Sequence, residues 1–131
     1  MADNNKGRKI GYWVVTGLLS VAMIGSGVAD LLQVEVIAES LARLGYPAHL
    51  MTLLGIAKLA AVAVIAAPGL ARLKEWAYAG LVIDLGGAVW SHAASGDPIA
   101  ELAPIFVFLA LTFTSYFLRP ADRRLPDLPK A

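Results

Sequence analysis

Long apolar runs constrain this chain most, because their length matches the thickness of a membrane. An α-helix rises about 1.5 Å per residue, so roughly 20 apolar residues cross a hydrocarbon core of about 30 Å. Most of the 131 residues fall into four such runs. They are residues 10–32, 49–67, 76–94 and 99–118. The sequence therefore predicts an all-α integral membrane protein whose transmembrane domain, residues 10–118, is a four-helix bundle.

Stop signals mark the ends of these runs. Pro68-Gly69 ends the second run, and Ser95-Gly96-Asp97-Pro98 ends the third. Pro104 lies within the fourth run, and because proline has no N–H donor we expect the fourth helix to begin or kink there. Residues 1–9 and 119–131 are left as a short N-terminal segment and a C-terminal tail.

The positions of the cations predict the orientation of the chain. Lys and Arg favour the cytoplasmic ends of short-loop membrane proteins. They occur before the first run, between the second and third, and after the fourth: Lys6, Arg8, Lys9, Arg72, Lys74, Arg119, Arg123, Arg124 and Lys130. The other two connections contain Arg43 alone. We therefore expect both termini on the cytoplasmic side.

The connection after the first run has the pattern of a short interfacial helix. Apolar residues recur at helical spacing through residues 34–44, while Glu35, Glu39 and Arg43 lie four apart on another face. Gly45-Tyr46-Pro47 then turns the chain back into the membrane.

Lys58 and Asp84 are formal charges near the middle of the second and third runs. Each costs about 2.5 to 3.5 kcal/mol at the centre of a membrane helix. Both lie about nine residues, or roughly 13 Å, along their spans, so antiparallel helices place them at similar depth. We expect them to form an intramembrane ion pair.

A second polar group is expected at the outer end of the bundle. It consists of Asp30, His92, Ser95, Asp97 and Glu101. His92 follows Asp84 by eight residues, so it should lie about 12 Å above the central pair. The only other histidine is His49, and no metal-ligand spacing is present, so no metal site is predicted.

Small residues predict close helix packing. Gly80, Gly87, Ala88 and Ser91 share a face with Asp84, Gly55 and Ala61 flank Lys58, and Gly25 and Ala29 are stepped along the first helix. Such faces let helix backbones approach closely in lipid. They also permit a homodimer.

Residues near the start of the third run have simpler expected roles. Trp76 and Tyr78 fit headgroup-level aromatic anchors. Glu75 is expected to pair on the cytoplasmic surface with Lys74 and Arg72. The mixed charges of the C-terminal tail do not fit nucleic-acid binding.

The chain resembles the DoxX-like family of small bacterial membrane proteins. The resemblance covers roughly residues 11–118. It rests on Leu44-Gly45-Tyr46-Pro47, Leu54-Gly55, Ala57-Lys58-Leu59, Pro68, Leu73-Lys74-Glu75-Trp76-Ala77-Tyr78-Ala79-Gly80, Asp84, Gly86, Ser91-His92 and Gly96-Asp97. One difference is that Ser26-Gly27 is followed by the acidic Asp30, where the family often has a basic residue.

The resemblance implies a four-helix protein of the bacterial plasma (inner) membrane, with relatives linked to quinone-dependent oxidation and membrane oxidoreductases. Since the chain has no cysteine, thiol redox chemistry would come from a membrane or cytoplasmic oxidoreductase partner. We therefore expect an accessory or redox-associated protein that binds a small lipophilic molecule, with a quinone as the candidate cofactor.

The expected ligand-binding residues combine the central pair, the outer polar group and one aromatic side chain. They are Lys58, Asp84, His92, Asp30, Asp97 and Tyr78. Two other functions fit the same residues. One is a stand-alone membrane enzyme of isomerase or hydrolase type, with Asp84 or His92 as the base and Lys58 as the electrostatic partner. The other is a structural, partner-binding membrane protein in which Lys58 and Asp84 only fix helix register.

Overall fold

The computed structural model describes residues 2–126, with side chains from Lys6 onward. Its five α-helices are α1 (Ala2–Leu31), α2 (Glu35–Arg43), α3 (His49–Ala66), α4 (Ala71–Ala94) and α5 (Ile99–Phe117). A short 3-10 helix follows at Ala121–Arg123. These described residues contain no β-strand, which agrees with the predicted all-α class.

Three helices in the described part of the chain are long and apolar enough to cross a membrane. They are Lys6–Leu31 within α1, His49–Ala66 and Ile99–Phe117. The third predicted span lies within α4, which is not among them. Asp84, His92 and three glycines lower the mean hydropathy of that span. That span stays a prediction.

The four long helices pack pairwise in a ring. α1 lies against α3 and α5, and α4 lies against the same two helices from the other side. The buried core between them consists of Leu19, Met23, Val62, Ile65, Tyr78, Leu81 and Leu85. We call the end where α1 runs into α2 the α2 end, and the opposite end, near residues 8 and 119, the terminal end.

Large apolar side chains cover the outer surface. Val21, Ile83 and Ile99 are 73%, 75% and 79% exposed. A soluble protein rarely exposes so much contiguous apolar surface, whereas a helix facing acyl chains needs it. Together with the three apolar helices, this surface is that of a membrane protein.

Gly27 on α1 and Gly55 on α3 allow these two helices to approach each other closely. A Cβ added to Gly55 would lie 2.7 Å from the Gly27 carbonyl oxygen, so neither helix could come as close with a larger residue. The expected contact through Gly25 is wrong, since Gly25 has no neighbour within 4 Å of such a Cβ. Gly80 and Gly87 on α4 are equally open, so that face does not pack closely as expected.

One helix begins earlier than the sequence predicts. α4 begins at Ala71, five residues before the predicted span, after a turn in which Gly69 and Leu70 have φ of +69° and +56°. α5 begins at Ile99, where the fourth predicted run also begins, and continues through Pro104. A helix start at that proline is therefore excluded, and a kink there stays a prediction. α2 occupies the connection where a short helix was predicted, and its place at the membrane surface stays a prediction.

Two cationic side chains cap the carboxyl end of α3, which lies at the terminal end of the molecule. Buried Lys74 donates hydrogen bonds to the carbonyls of Ala67 and Gly69. Arg123 donates to the carbonyls of Ile65 and Ala67 at 2.8 and 3.3 Å. The last carbonyls of a helix lack intrahelical donors and carry partial negative charge, so cations stabilise them.

The expected surface pair of Glu75 with Lys74 and Arg72 is wrong. Glu75 instead accepts hydrogen bonds from Arg119 at 2.8 Å and from the Tyr116 hydroxyl at 2.7 Å. This network joins the N-terminal part of α4 to the end of α5.

Candidate functional site

Lys58 lies at the centre of a polar site between α1, α3 and α4. Its ammonium group donates hydrogen bonds to Asp30 Oδ2 at 2.8 Å and to Ser26 Oγ at 2.9 Å. The Asp84 carboxylate lies 3.9 Å from the same nitrogen. The closest carboxylate to Lys58 is therefore Asp30, which the sequence analysis assigned to the outer polar group, and Asp84 is a more distant neighbour.

Side-chain direction explains this arrangement. Helical side chains lean toward the N-terminus of their own helix. The N-terminus of α3 is at the α2 end, so the long Lys58 side chain carries its ammonium group toward Asp30. Asp84 leans the opposite way, because α4 starts at the terminal end. The close approach of α1 and α3 at Gly27 and Gly55 brings Asp30 within reach.

The Asp84 carboxylate keeps its hydrogen-bonding capacity. Its side chain is 20% exposed, against 4% for Asp30. Within the described part of the chain, no donor makes a hydrogen bond to Asp84. An ionised carboxylate has about four acceptor sites on its two oxygens, so Asp84 can take donors from a bound molecule.

Lys58 and Asp84 both line a cavity of about 730 Å³. Pockets of this size hold drug-sized ligands. Its walls come from all five helices, with apolar residues such as Leu54, Ile105 and Phe108, and small residues of α4 such as Gly87 and Ala88. We call it the central cavity. The α4 face that was expected to pack against another helix lines this cavity instead.

The α2 helix covers the central cavity at the α2 end, where Val36, Ile37, Ser40 and Leu41 face it. The turn after α2 is tied to α4 by a hydrogen bond of 2.5 Å between the Tyr46 hydroxyl and Ser91 Oγ.

A second tie runs from α2 to the α4–α5 turn. The Arg43 guanidinium contacts both carboxylate oxygens of Asp97, at 2.5 and 3.0 Å. His92 Nδ1 lies 2.5 Å from Asp97 Oδ2. The hydrogen bonds from Arg43 and His92 lower the pKa of Asp97 to about 2. The carboxylate is therefore ionised at neutral pH and holds α2 over the cavity.

Three potential metal ligands lie in or beside the same turn. His92, Asp97 and Glu101 place ligand atoms within 4.8 Å of one another. Arg43 already pairs with both carboxylates, at 2.5 Å from Asp97 and 3.8 Å from Glu101. The prediction that no metal binds stays a prediction.

The structure brings four of the predicted site residues to one cavity. Asp30, Lys58, Asp84 and His92 all line it. Asp97 lies behind His92 and orients its ring, a positioning role that the spacing of five residues could have suggested.

Tyr78, the sixth predicted residue, lies away from the central cavity. It is 2% exposed, which also excludes the expected headgroup anchor. Its hydroxyl is 2.7 Å from Ser115 Oγ, which in turn is 2.6 Å from Thr16 Oγ1. This buried polar cluster near the terminal end joins α1, α4 and α5, and the sequence analysis missed it.

Ser26 and Arg43 also belong to the site, although neither was predicted as a site residue. Ser26 lies one helical turn before Asp30, so it shares the face of Asp30. Arg43 is the only Lys or Arg in the two connections of the α2 end, where the acidic Asp97 and Glu101 also lie. That charge complementarity was a usable signal.

Apolar helices around a charged, partly open centre define a helical membrane protein with an internal polar site. A family model described as the DoxX-like family matches residues 14–115. The chain belongs to this family, as the sequence motifs indicated. No curated protein and no solved structure gave a significant match.

Proposed function

We propose that this DoxX-like membrane protein binds a small lipophilic molecule in the central cavity, with the polar head of that molecule between Lys58 and Asp84. The observation that carries the proposal is the Asp84 carboxylate, which faces the cavity beside an ammonium group and accepts no hydrogen bond from the described residues. A group of this kind near the middle of a membrane helix is costly unless it has a partner.

The hydrogen-bonding pattern specifies the head group. A lysine ammonium has three N–H donors, and Ser26 and Asp30 use two of them. One donor remains on Lys58, and acceptor sites remain on Asp84. A hydroxyl or phenol group, which both accepts and donates, satisfies the two together.

The charge of the site argues against an anionic head. Asp30 and Asp84 carry two negative charges against the single positive charge of Lys58, so a carboxylate or phosphate would be repelled at short range in a low dielectric. For the quinone candidate, the reduced quinol supplies both a donor and an acceptor, whereas the oxidised quinone offers acceptors only. We therefore favour the quinol form.

Binding of a matched pair of small probes tests the proposal. The purified full chain in lipid nanodiscs is incubated with labelled para-ethylphenol or with ethylbenzene, which lacks the oxygen, and empty nanodiscs give the blank. We expect saturable binding of the phenol only, and loss of binding in Asp84→Leu and in Gly87→Phe, which fills the cavity. Gly86→Phe is the control, because Gly86 is open at Cβ yet does not line the central cavity. Equal retention of the two probes would overturn the proposal.

An acid/base enzyme is a second candidate, since His92, oriented by Asp97, lines the same cavity as Asp84 and Lys58. Asp84 or His92 would then move a proton on an apolar substrate while Lys58 stabilises the developing charge. Native mass spectrometry would identify a molecule retained with the protein. After incubation in heavy water, deuterium in its carbon-bound positions would support an enzyme, and its absence would favour a binding protein.

The remaining proposals concern the surroundings of the protein. We infer a four-span bundle in the bacterial inner membrane with both termini cytoplasmic, because the terminal end holds the cations that flank the long helices. Association with an oxidoreductase is proposed from the quinol fit. The homodimer stays a prediction that native mass spectrometry of the nanodisc-extracted protein would test through its mass.

A further inference from the structure

A second, more apolar cavity opens between α3 and α4. It has a volume of about 530 Å³ and is lined by residues that include Leu53, Ala57, Ala60, Trp76 and Gly80. We call it the α3–α4 groove. Trp76 is 73% exposed, so the groove opens on the outer surface of the helices, where acyl chains lie in the proposed membrane orientation.

The groove adjoins the central cavity. Four residues line both: Leu54, Lys58, Ile83 and Asp84. Among the described residues that line the groove, Lys58 and Asp84 alone are charged, and these are the two that were proposed to hold the ligand head. Away from them, its lining is apolar along α4 from Asp84 to Trp76, a rise of about 12 Å.

Because Lys58 and Asp84 line both cavities, we propose that the ligand is a neutral single-chain amphiphile, whose head enters between Lys58 and Asp84 while its apolar tail lies in the α3–α4 groove. The inference rests on the proposed function and adds the ligand class and a lateral route from the membrane. One groove between two helices fits one tail. The open Cα of Gly80 leaves space for it, since nothing lies within 4 Å of an added Cβ.

Three glycines of α4 provide matched variants for the test. Gly80 lines the groove, Gly87 lines the central cavity and Gly86 lines neither, and all three are open at Cβ. Each is changed to Phe in the full chain in nanodiscs, and binding of labelled para-ethylphenol and para-dodecylphenol is measured. Circular dichroism and size-exclusion chromatography check folding.

We expect Gly80→Phe to leave para-ethylphenol binding intact and to weaken para-dodecylphenol binding on the order of tenfold, or about 1.4 kcal/mol. Gly87→Phe should abolish binding of both probes, and Gly86→Phe should change neither. If Gly87→Phe leaves both probes bound, the proposed function fails. If only Gly80→Phe is without effect on the long probe, the lateral tail is wrong and the head site stands. A changed oligomeric state of Gly80→Phe with intact binding would make the groove an interface between copies and would also overturn the inference.

If Gly80→Phe does not fold, a fluorescence experiment tests whether the tail lies in the α3–α4 groove. With Trp13 and Trp90 replaced by Phe, Trp76 is the single reporter in the groove. A para-dodecylphenol carrying bromine on its tail should quench Trp76, and excess para-ethylphenol should reverse the quenching by occupying the head site. Quenching that para-ethylphenol does not reverse would come from bulk lipid and would overturn the inference.

Discussion

Lys58 has two different acidic neighbours, and their contacts predict different consequences of mutation. Asp30 is 4% exposed and bonded to Lys58 at 2.8 Å, whereas Asp84 is 20% exposed and lies at 3.9 Å. Lys58→Met should therefore destabilise the fold by about 3 to 5 kcal/mol, because Asp30 is left buried and unpaired. The measurement is unfolding in mixed detergent micelles.

The companion variants separate the two acids. Asp30→Leu combined with Lys58→Met should recover much of the lost stability, since no unpaired buried charge remains at that contact. Asp84→Leu should stay close to wild type in stability while losing phenol binding. An equal loss of stability in Asp84→Leu and Asp30→Leu would contradict the proposed division into one structural and one ligand-binding carboxylate.

Asp97 should make the α2 tie sensitive to acid. Its pKa of about 2 is below the usual value of 3.8, because Arg43 and His92 make hydrogen bonds to it. A depressed carboxylate pKa contributes stability above the unfolded-state pKa, and this stability is lost as the pH falls through the folded-state value. Between about pH 4 and pH 2 we expect the α2 amides to lose protection against hydrogen exchange, measured relative to the intrinsic exchange rate at each pH.

The matched control is Asp97→Asn, which cannot titrate. The groups facing this position are Arg43 on α2, His92 on α4 and Glu101 on α5. The variant should exchange faster at neutral pH and should lose most of the acid-dependent change. The same pH profile in Asp97→Asn and wild type would assign the effect to other groups.

At the scale of the helices, the Gly27–Gly55 contact determines how α1 and α3 pack. Gly55→Ala would place a Cβ 2.7 Å from a backbone oxygen, which cannot move without shifting α1. We expect a loss of about 1 to 3 kcal/mol, the usual cost of overpacking, measured by unfolding in detergent. Gly25→Ala is the control, because its open position and the higher helix propensity of alanine predict no loss. Similar losses in both would mean that the contact is not specific.

The sequence predicted the elements better than their contacts. Hydropathy located the long helices because about 20 apolar residues are needed to cross lipid, and periodicity predicted α2. Periodicity predicts on which face of a helix a residue lies, but not which other helix that face contacts. For this reason periodicity alone does not show that Gly27 and not Gly25 is the contact residue of α1.

For the candidate site, too, the sequence predicted which residues are important better than it predicted their contacts. The cost of charge in lipid identified Lys58 and Asp84 as residues that need partners. The depth estimate counted Cα positions only, so it neglected the length and lean of the lysine side chain, which lies 2.8 Å from Asp30 and 3.9 Å from Asp84. The Tyr78–Ser115–Thr16 cluster was missed because isolated hydroxyl residues are common in apolar helices and carry no distinctive spacing.

At the scale of the whole molecule, the distribution of cations predicts how the protein is oriented in the membrane, and therefore on which side its site lies. The terminal end holds Lys74, Arg119 and Arg123, although the structure uses their side chains to cap α3 and bind Glu75. Burial within such contacts does not remove their charge, and it is charge near the helix ends that biases insertion. We therefore retain the prediction of cytoplasmic termini. The α2 helix, and the end of the central cavity that it covers, would then lie outside.

The lack of cysteine makes this orientation directly testable. Single cysteines are introduced at Glu39 on α2 and at Asp122 near the terminal end, both of which are exposed. In intact cells, a membrane-impermeant maleimide should label Glu39→Cys, whereas Asp122→Cys should react only after the membrane is permeabilised. Because the α4 span is the least apolar of the four, a third cysteine at Arg72 tests it: its labelling should follow that of Asp122. If Arg72→Cys and Asp122→Cys reacted from opposite sides, an odd number of spans would separate them, and α4 and α5 could not both cross the membrane. The central cavity would then lack the lipid-enclosed wall that the proposed ligand site requires.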